Sequence, residues 1–217
     1  MLKQVLKLAY HQVLDSETYK TALLELALLD KDLKAVLDRF GPAPFWSRIP
    51  GFSTLIYIVL EQQVSLASAK ATFLRLNESV SELTPANFLK LDDHTLKKIG
   101  FSRQKTIYCR NISGAIEAGT LPIDRFDMMT DDKVRSELQK IKGIGPWTAD
   151  CYLLLALNRQ DIWPRGDLAL VSALRSVKNL PKPPTAEEFR LYGEAWKPWR
   201  AVAARILWHF YISSGKI

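Results

Sequence analysis

Apolar positions recur at three- and four-residue intervals along most of the chain, the spacing of helices that bury one face. Leu23, Leu24, Leu26, Ala27, Leu29, Leu33, Val36 and Leu37 form one such stripe, closed by Phe40-Gly41-Pro42. Ser53 is positioned to cap a long helix with Ile56, Val59, Leu60, Val64 and Leu66 on its inner side. Thr84-Pro85 opens a short helix, because threonine can cap and proline fits the first turn. Further helices are predicted near residues 93–99, 103–117, 131–141, 147–157, 167–177, 185–195 and 199–213. Strand-like alternation bounded by Asn-Gly or Asp-Gly turns is absent, and the breakers fall mostly between the helical stretches. The pattern predicts an all-α fold built from many short helices.

No low-complexity tract or long polar linker divides the 217 residues, and Pro181-Lys182-Pro183-Pro184 reads as a loop. One internal echo stands out. Leu96-Lys97-Lys98-Ile99-Gly100-Phe101-Ser102 and Leu138-Gln139-Lys140-Ile141-Lys142-Gly143-Ile144-Gly145 both read as helix, tight turn, helix. No third copy appears, so these are two hairpins and not a solenoid.

Thirty Lys+Arg against 23 Asp+Glu leave a formal charge of +7, compatible with a polyanionic partner without identifying one. Cys109 and Cys151 are too few for a disulfide framework or for a four-thiolate zinc or iron–sulfur site. No apolar run approaches the roughly 20 residues of a membrane span. The N-terminal MLKQVLKLAYHQVLDSETYK interrupts its apolar residues too early for a secretory signal. His11, His94 and His209 lack metal-ligand spacing, so no side-chain metal site and no cofactor is expected. The expectation is a soluble protein of a reducing compartment, cytoplasmic at a bacterial nucleoid or nuclear in a eukaryote.

The segment from Val134 to Leu157 carries the most chemistry. Val134, Leu138 and Ile141 give its first helix an apolar edge. Gly143 and Gly145 permit a sharp turn and close approach of another backbone. Pro146 suits the first turn of the next helix, whose free N–H groups and dipole can hold an anionic oxygen. Such a turn grips a phosphate backbone without reading bases. Read from G-x-G alone, it is more readily an αα-hairpin that merely reverses the chain, since glycine turns between helices are common.

Twenty residues beyond Trp147 comes Trp163-Pro164-Arg165-Gly166-Asp167-Leu168, a Pro/Gly loop leading into a helix. Asp167 there reads as a cap worth about 0.5–2 kcal/mol. It also reads as a fixed carboxylate. Cleaving a base from its sugar develops oxocarbenium character, which a nearby anion stabilises while orienting or deprotonating water.

Hairpin, spacing and Gly-Asp loop together resemble the helix-hairpin-helix, Gly/Pro-rich, Asp superfamily of DNA glycosylases. Glu194-Ala195-Trp196-Lys197-Pro198-Trp199-Arg200-Ala201 and the helix ending in Trp208 resemble its 3-methyladenine DNA glycosylase II branch. Val59-Leu60-Glu61-Gln62-Gln63-Val64-Ser65 is similar to the I-x-x-Q-x-x-S segment before the family's base-flipping loop. The resemblance covers roughly residues 45–212. It implies an all-α helix-hairpin-helix glycosylase fold whose two lobes, about 1–54 plus 165–217 and 55–164, enclose a DNA- and base-binding cleft. The hairpin motif itself would span about 134–157.

The resemblance implies roles residue by residue. Asp167 is the catalytic carboxylate, and Trp147 and Trp208 match aromatic positions of the base pocket, where a cationic alkylpurine is attracted to a π face. For each tryptophan, core packing is the other reading. Gln63 stands where relatives insert a wedge into the gap left by the flipped nucleotide, and reads equally as an exposed helix-end residue. Gly143, Ile144, Gly145, Trp147 and Thr148, with Lys142 and Arg165, would contact DNA. Lys140, Arg103, Lys105 and Arg200 are further phosphate candidates, each also readable as an ordinary surface charge. Backbone carbonyls of Gln139, Ile141 and Ile144 would hold a monovalent cation. Cys151 and Leu168 stand where the family pattern has tyrosines, and Trp163, Trp196 and Trp199 suit helix packing, with Trp46 unassigned.

Bifunctional relatives carry a Schiff-base lysine directly after the hairpin, where this chain has Trp147. Water should then attack the sugar and leave an abasic site. The expectation is a monomeric, monofunctional N-glycosylase that removes 3-methyladenine- and 7-methylguanine-type bases from double-stranded DNA. The alternatives are a non-catalytic DNA-binding hairpin protein, or a glycosylase for other damaged or mismatched bases.

Overall fold

The computed structural model describes residues 13–215, which form helices, one 3-10 turn and no strand longer than the isolated Val13–Arg159 bridge. The described helices are α1 (Ser16–Leu29), α2 (Lys31–Phe40), α3 (Phe52–Glu61), α4 (Leu66–Glu78), α5 (Pro85–Lys90) and α6 (Asp93–Ile99). They continue with α7 (Arg103–Glu117), α8 (Asp131–Gln139), α9 (Pro146–Leu155), α10 (Leu168–Val177), α11 (Ala186–Ala195) and α12 (Arg200–Ser213), the 3-10 turn Ile123–Met128 lying before α8. The all-α reading is met. His11 lies outside the described residues.

Two predicted helices are each broken in two. The stripe from Leu23 to Leu37 belongs to α1 and α2, because Asp30 ends one helix and starts the next. Its N–H donates to the Leu26 carbonyl, while its carboxylate accepts from Asp32 and Leu33 N–H at 3.0 and 3.3 Å. Leu23, Leu26, Leu33 and Val36 are buried, whereas Leu24, Leu28 and Leu29 face solvent. The long helix expected after Ser53 starts instead at Phe52, with Gly51 at its cap, and stops at Glu61. Gln63 at φ 55 turns the chain, and Ser65 caps α4 by accepting from Ser68 N–H at 3.2 Å. Val64 and Leu66, expected inside, are therefore exposed.

The chain divides into two compact units, one of residues Arg48–Leu157, the other of the residues up to Ser47 and from Asn158 onward. The sequence reading divides the lobes after 54 and 164. Arg48 belongs with the middle segment because its N–H donates to the Leu155 carbonyl at 2.8 Å and its guanidinium grips Glu61 through two bonds of 2.9 and 2.6 Å.

In the Arg48–Leu157 unit, every residue of α9 from Thr148 to Leu155 is buried, so this helix runs through the core and not along its surface. Leu55, Ile56 and Ile58 of α3, Phe88 of α5, Ile112 of α7 and Leu138 of α8 are fully enclosed. Each such side chain contributes about 1.5–3 kcal/mol relative to exposure. The Tyr152 hydroxyl accepts from Gly51 N–H at 2.9 Å, and burial pushes its pKa up to about 12.

In the other unit, α12 is buried continuously from Ala201 to Leu207, its alanines allowing α10 to pack closely. Trp163 stacks on Phe189 at 4.6 Å and meets Trp196 edge-on. A Cβ on Gly193 would lie 2.7 Å from the Trp163 ring, so only glycine admits that contact. Trp196 Nε1–H donates to Asp30 at 2.9 Å and Trp199 Nε1–H to Glu25; Trp163 and Trp196 are buried packing residues, while Trp199 is half-buried at the surface.

Candidate active site and nucleic-acid interface

The hairpin turn closes on itself before it can meet anything else. After α8 ends, Ile141 N–H donates to the Leu138 carbonyl at 3.1 Å and Ile144 N–H to the Ile141 carbonyl at 3.0 Å. Gly143 takes φ 107 in this turn, and a Cβ there would sit 2.1 Å from the Tyr108 ring of α7. Both facts demand glycine. Gly145 differs. Its φ of −93 and ψ of −179 suit any residue, and a Cβ would meet nothing within 4 Å. The turn itself therefore needs Gly143 alone, and the room at Gly145 faces outward.

Gly145 caps α9 with no side-chain hydrogen bond, Pro146 follows as the first helical residue, and the first intrahelical bond runs from Ala149 N–H to Gly145 at 3.1 Å. The start of α9 thus has no side chain at its cap position, and a helix start of that kind is one where an anion can take the place of a cap. Several residues expected to touch DNA are used differently. Ile144 is buried and its N–H is spent in the turn, so its side chain belongs to the core. The Thr148 side chain is buried too, its hydroxyl accepting from Gln62 Nε2 at 2.9 Å. What Thr148 offers an anion is its backbone. Lys142 is exposed, and Trp147 is half-buried on the first turn of α9.

Sequence reasoning missed Gln62 as an organiser of this turn. Its side-chain amide donates to the Gly143 carbonyl at 3.1 Å as well as to Thr148. Asn111 of α7 donates to the Lys142 carbonyl at 3.2 Å. Lys105, a phosphate candidate, turns inward instead: its Nζ donates to the Leu60 carbonyl at 2.6 Å, and burial holds its pKa below the ordinary lysine range. The glutamine lay within the motif quoted above, but nothing in spacing alone says where its side chain goes.

In the other unit, Asp167 is the N-cap of α10 and is buried. Its Oδ1 accepts from Leu170 N–H at 2.8 Å and from Trp208 Nε1–H of α12 at 3.3 Å. The capping and functional readings thus describe the same carboxylate, held in one orientation by a helix start and an indole. Gly166 before it adopts φ 76, and Arg165 and Leu168 on either side are exposed, Leu168 by 82 %. Arg200 is not available for a phosphate, since Asp161 binds it through bonds of 2.6 and 3.0 Å and Glu194 at 3.2 Å. Among the described residues no group of three or more His, Cys, Asp or Glu side chains is arranged to hold a metal ion, and no helix is long and apolar enough to cross a membrane.

An all-helical fold, a helical hairpin turned on the positive-φ Gly143 and a buried, capping aspartate are the features this chain brings to a comparison with DNA repair proteins. The chain belongs to the HhH-GPD superfamily of base excision DNA repair proteins, whose family profile matches residues 56–199. It is 30 % identical to DNA-3-methyladenine glycosylase 1 of Schizosaccharomyces pombe over 195 residues, 86 % of this chain and 85 % of that one. With DNA-3-methyladenine glycosylase 2 of Escherichia coli it shares 25 % identity over 86 % of this chain and 68 % of the relative. The structure superposes on the S. pombe 3-methyladenine DNA glycosylase in complex with abasic DNA with a TM-score of 0.81 at 30 % identity, covering 87 % of this chain and 95 % of the other.

Proposed function

We propose that this protein is a monofunctional DNA glycosylase that hydrolyses the N-glycosidic bond of alkylated purines in duplex DNA. Asp167 carries the reading: a buried carboxylate whose Oδ1 is held by Leu170 N–H and Trp208 Nε1–H, in a member of a base excision repair superfamily. The names of its relatives support alkylated bases as the substrate class.

The hairpin would take the DNA backbone. Amides at the start of α9 bind a phosphate oxygen, and Lys142 adds charge beside it. Carbonyls of Gln139, the last residue of α8, and of Ile141 and Ile144 in the turn would seat a monovalent cation there, the Ile141 oxygen through the lone pair that Ile144 N–H leaves it, and the cation would add attraction for phosphate. Gln63, exposed at the tip of the α3–α4 loop, would fill the gap left by the extruded nucleotide. Trp208, beside Asp167, would face the flipped base, Trp147 would meet DNA at the start of α9, and Arg165 would contact the backbone.

The chemistry is a hydrolysis. The C1′–N bond breaks with its electron pair going to the base, so a base that is cationic in DNA departs neutral. Asp167 stabilises the positive charge that develops on the sugar, and water adds its hydroxide to C1′ while releasing a proton. Because the leaving base is already activated, one carboxylate is sufficient. With Trp147 in place of an amine nucleophile, no covalent sugar adduct forms and the product is an abasic site. The protein would act as a monomer.

Release of free methylated purine from alkylated duplex DNA tests this. The wild type should release 3-methyladenine, Asp167→Asn should fall on the order of 100-fold or more, and borohydride should trap no protein–DNA adduct. Absence of release by the wild type overturns the activity, equal release by both overturns the role of Asp167, and a trapped adduct overturns the monofunctional mechanism.

A further inference from the structure

The α3–α4 loop and the α8–α9 turn are wired to each other by one side chain. Gln62 closes α3 with its own N–H on the Val59 carbonyl at 3.3 Å, and the next residue is Gln63, a non-glycine at φ 55. Such a backbone is disfavoured for a side chain of this kind and persists only where its surroundings hold it. From Gln63 to Leu66 every residue is exposed, so the loop has no apolar anchor of its own. What holds its first residue is the Gln62 amide. One hydrogen bond goes to the Gly143 carbonyl at 3.1 Å, inside the turn, and the other to Thr148 Oγ1 at 2.9 Å, on the first turn of α9.

A single face of α7 backs both pieces. Lys105 binds the Leu60 carbonyl at the end of α3, the Tyr108 ring lies against Gly143, and Asn111 binds the Lys142 carbonyl. The amides that would meet a phosphate and the side chain that would enter the base stack therefore share one rigid support within the Arg48–Leu157 unit.

We propose that Gln62 is a positioning residue that couples seating of the DNA backbone at the 141–145 turn to extrusion of the nucleotide by the loop carrying Gln63. This rests on the reading of the chain as a base-flipping glycosylase. With Gln62 in place, a phosphate drawn onto the turn brings the loop with it in a defined register. Without its two donors the turn can still bind backbone, but the loop follows its own relaxation, so binding and extrusion come apart.

The test separates those two steps. Gln62→Leu keeps the bulk and removes both donors; Thr148→Val keeps the shape and removes one acceptor, and serves should the first variant fold poorly by circular dichroism and thermal melting. Single-turnover release is measured from a duplex with the alkylated base paired and from one with the same base in a one-nucleotide bulge, where it is already largely unstacked. The expected result is a loss of about tenfold or more on the paired lesion, about twofold or less on the bulged lesion, and about twofold or less in affinity for undamaged duplex. Equal losses on the two substrates, or no loss on either, overturn the coupling. A 2-aminopurine beside the lesion reads extrusion without chemistry. A fluorescence rise with the wild type that Gln62→Leu removes supports the coupling even if no base is released, and a rise unchanged by the variant overturns it. Failure of release by the wild type alone therefore counts against the glycosylase, not against Gln62.

Discussion

The turns after Ile99 and after Ile141 begin alike in sequence: leucine, lysine and isoleucine lead up to a glycine in the left-handed region, Gly100 at φ 113 and Gly143 at φ 107. They then diverge. Beyond Gly100, Ser102 caps α7 by accepting from Lys105 N–H at 3.2 Å, and Arg75 Nε seals the preceding helix end on the Ile99 carbonyl at 2.6 Å. Beyond Gly143, Gly145 and Pro146 begin α9 with no side-chain cap. The second helix of the first hairpin carries a side-chain cap and that of the second hairpin carries none. On the proposed function, the same supersecondary unit serves once as a connector and once as a receptor, and the two differ at the cap position.

The two glycines supply the largest test of that contrast. In Gly143→Ala the new methyl must adopt a left-handed backbone and also displaces a packed aromatic ring, since its nearest contact would be 2.1 Å from Tyr108. The expected loss is about 3 kcal/mol or more, strain and overpacking together. Gly100→Ala carries the same backbone strain, but its nearest contact, at 2.8 Å, is the terminal Nη2 of Arg75, a flexible group able to move aside. About 1–2 kcal/mol is expected. Urea unfolding of the two variants checks this, with the slope watched for a change in cooperativity. Equal losses would mean that Tyr108 yields as easily as Arg75 and that the second turn is no more tightly built than the first.

Much of this organisation is legible in the sequence where local chemistry sets it. Helices α6 and α7 run over 93–99 and 103–117, the ranges that periodicity predicts, because Asp92 and Ser102 stand at their starts as recognisable caps. The breaks at Asp30 and at Gln62–Ser65 are hidden because apolar periodicity continues through them. There a single side chain, or one residue of positive φ, outweighs the stripe. Asp167 and the hairpin glycines stand out through their motif. The bonds that organise the site do not. Gln62 reaches a residue 81 positions away and Trp208 one 41 positions away, distances no helical spacing rule covers. Local signals place elements, and long-range hydrogen bonds decide what the elements hold.

A smaller effect distinguishes the caps directly. Ser102→Ala removes the acceptor that satisfies Lys105 N–H and leaves the start of α7 as bare as that of α9. The expected loss is about 1 kcal/mol, read as a lower urea midpoint at unchanged slope. A neutral result would show that solvent serves that helix start as well as serine does, and the contrast between the hairpins would then lie in their glycines alone.

Gly145→Ser is the converse change, and its stability effect is the smallest. The backbone there, φ −93 and ψ −179, is the extended conformation that a serine cap takes, and a Cβ meets nothing within 4 Å. Serine exceeds glycine at such a position by only a few tenths of a kcal/mol, so the folded chain should become slightly more stable. Binding should move the other way. The serine oxygen would compete for the start of α9 with the phosphate that the proposed function places there, and its bulk would stand where the DNA backbone would approach. Affinity for undamaged duplex should therefore fall while the urea midpoint holds or rises. That opposition is the informative outcome, because a site kept for folding loses both together. If affinity is unchanged in Gly145→Ser, the start of α9 is not where phosphate sits, and the second hairpin is as much a connector as the first.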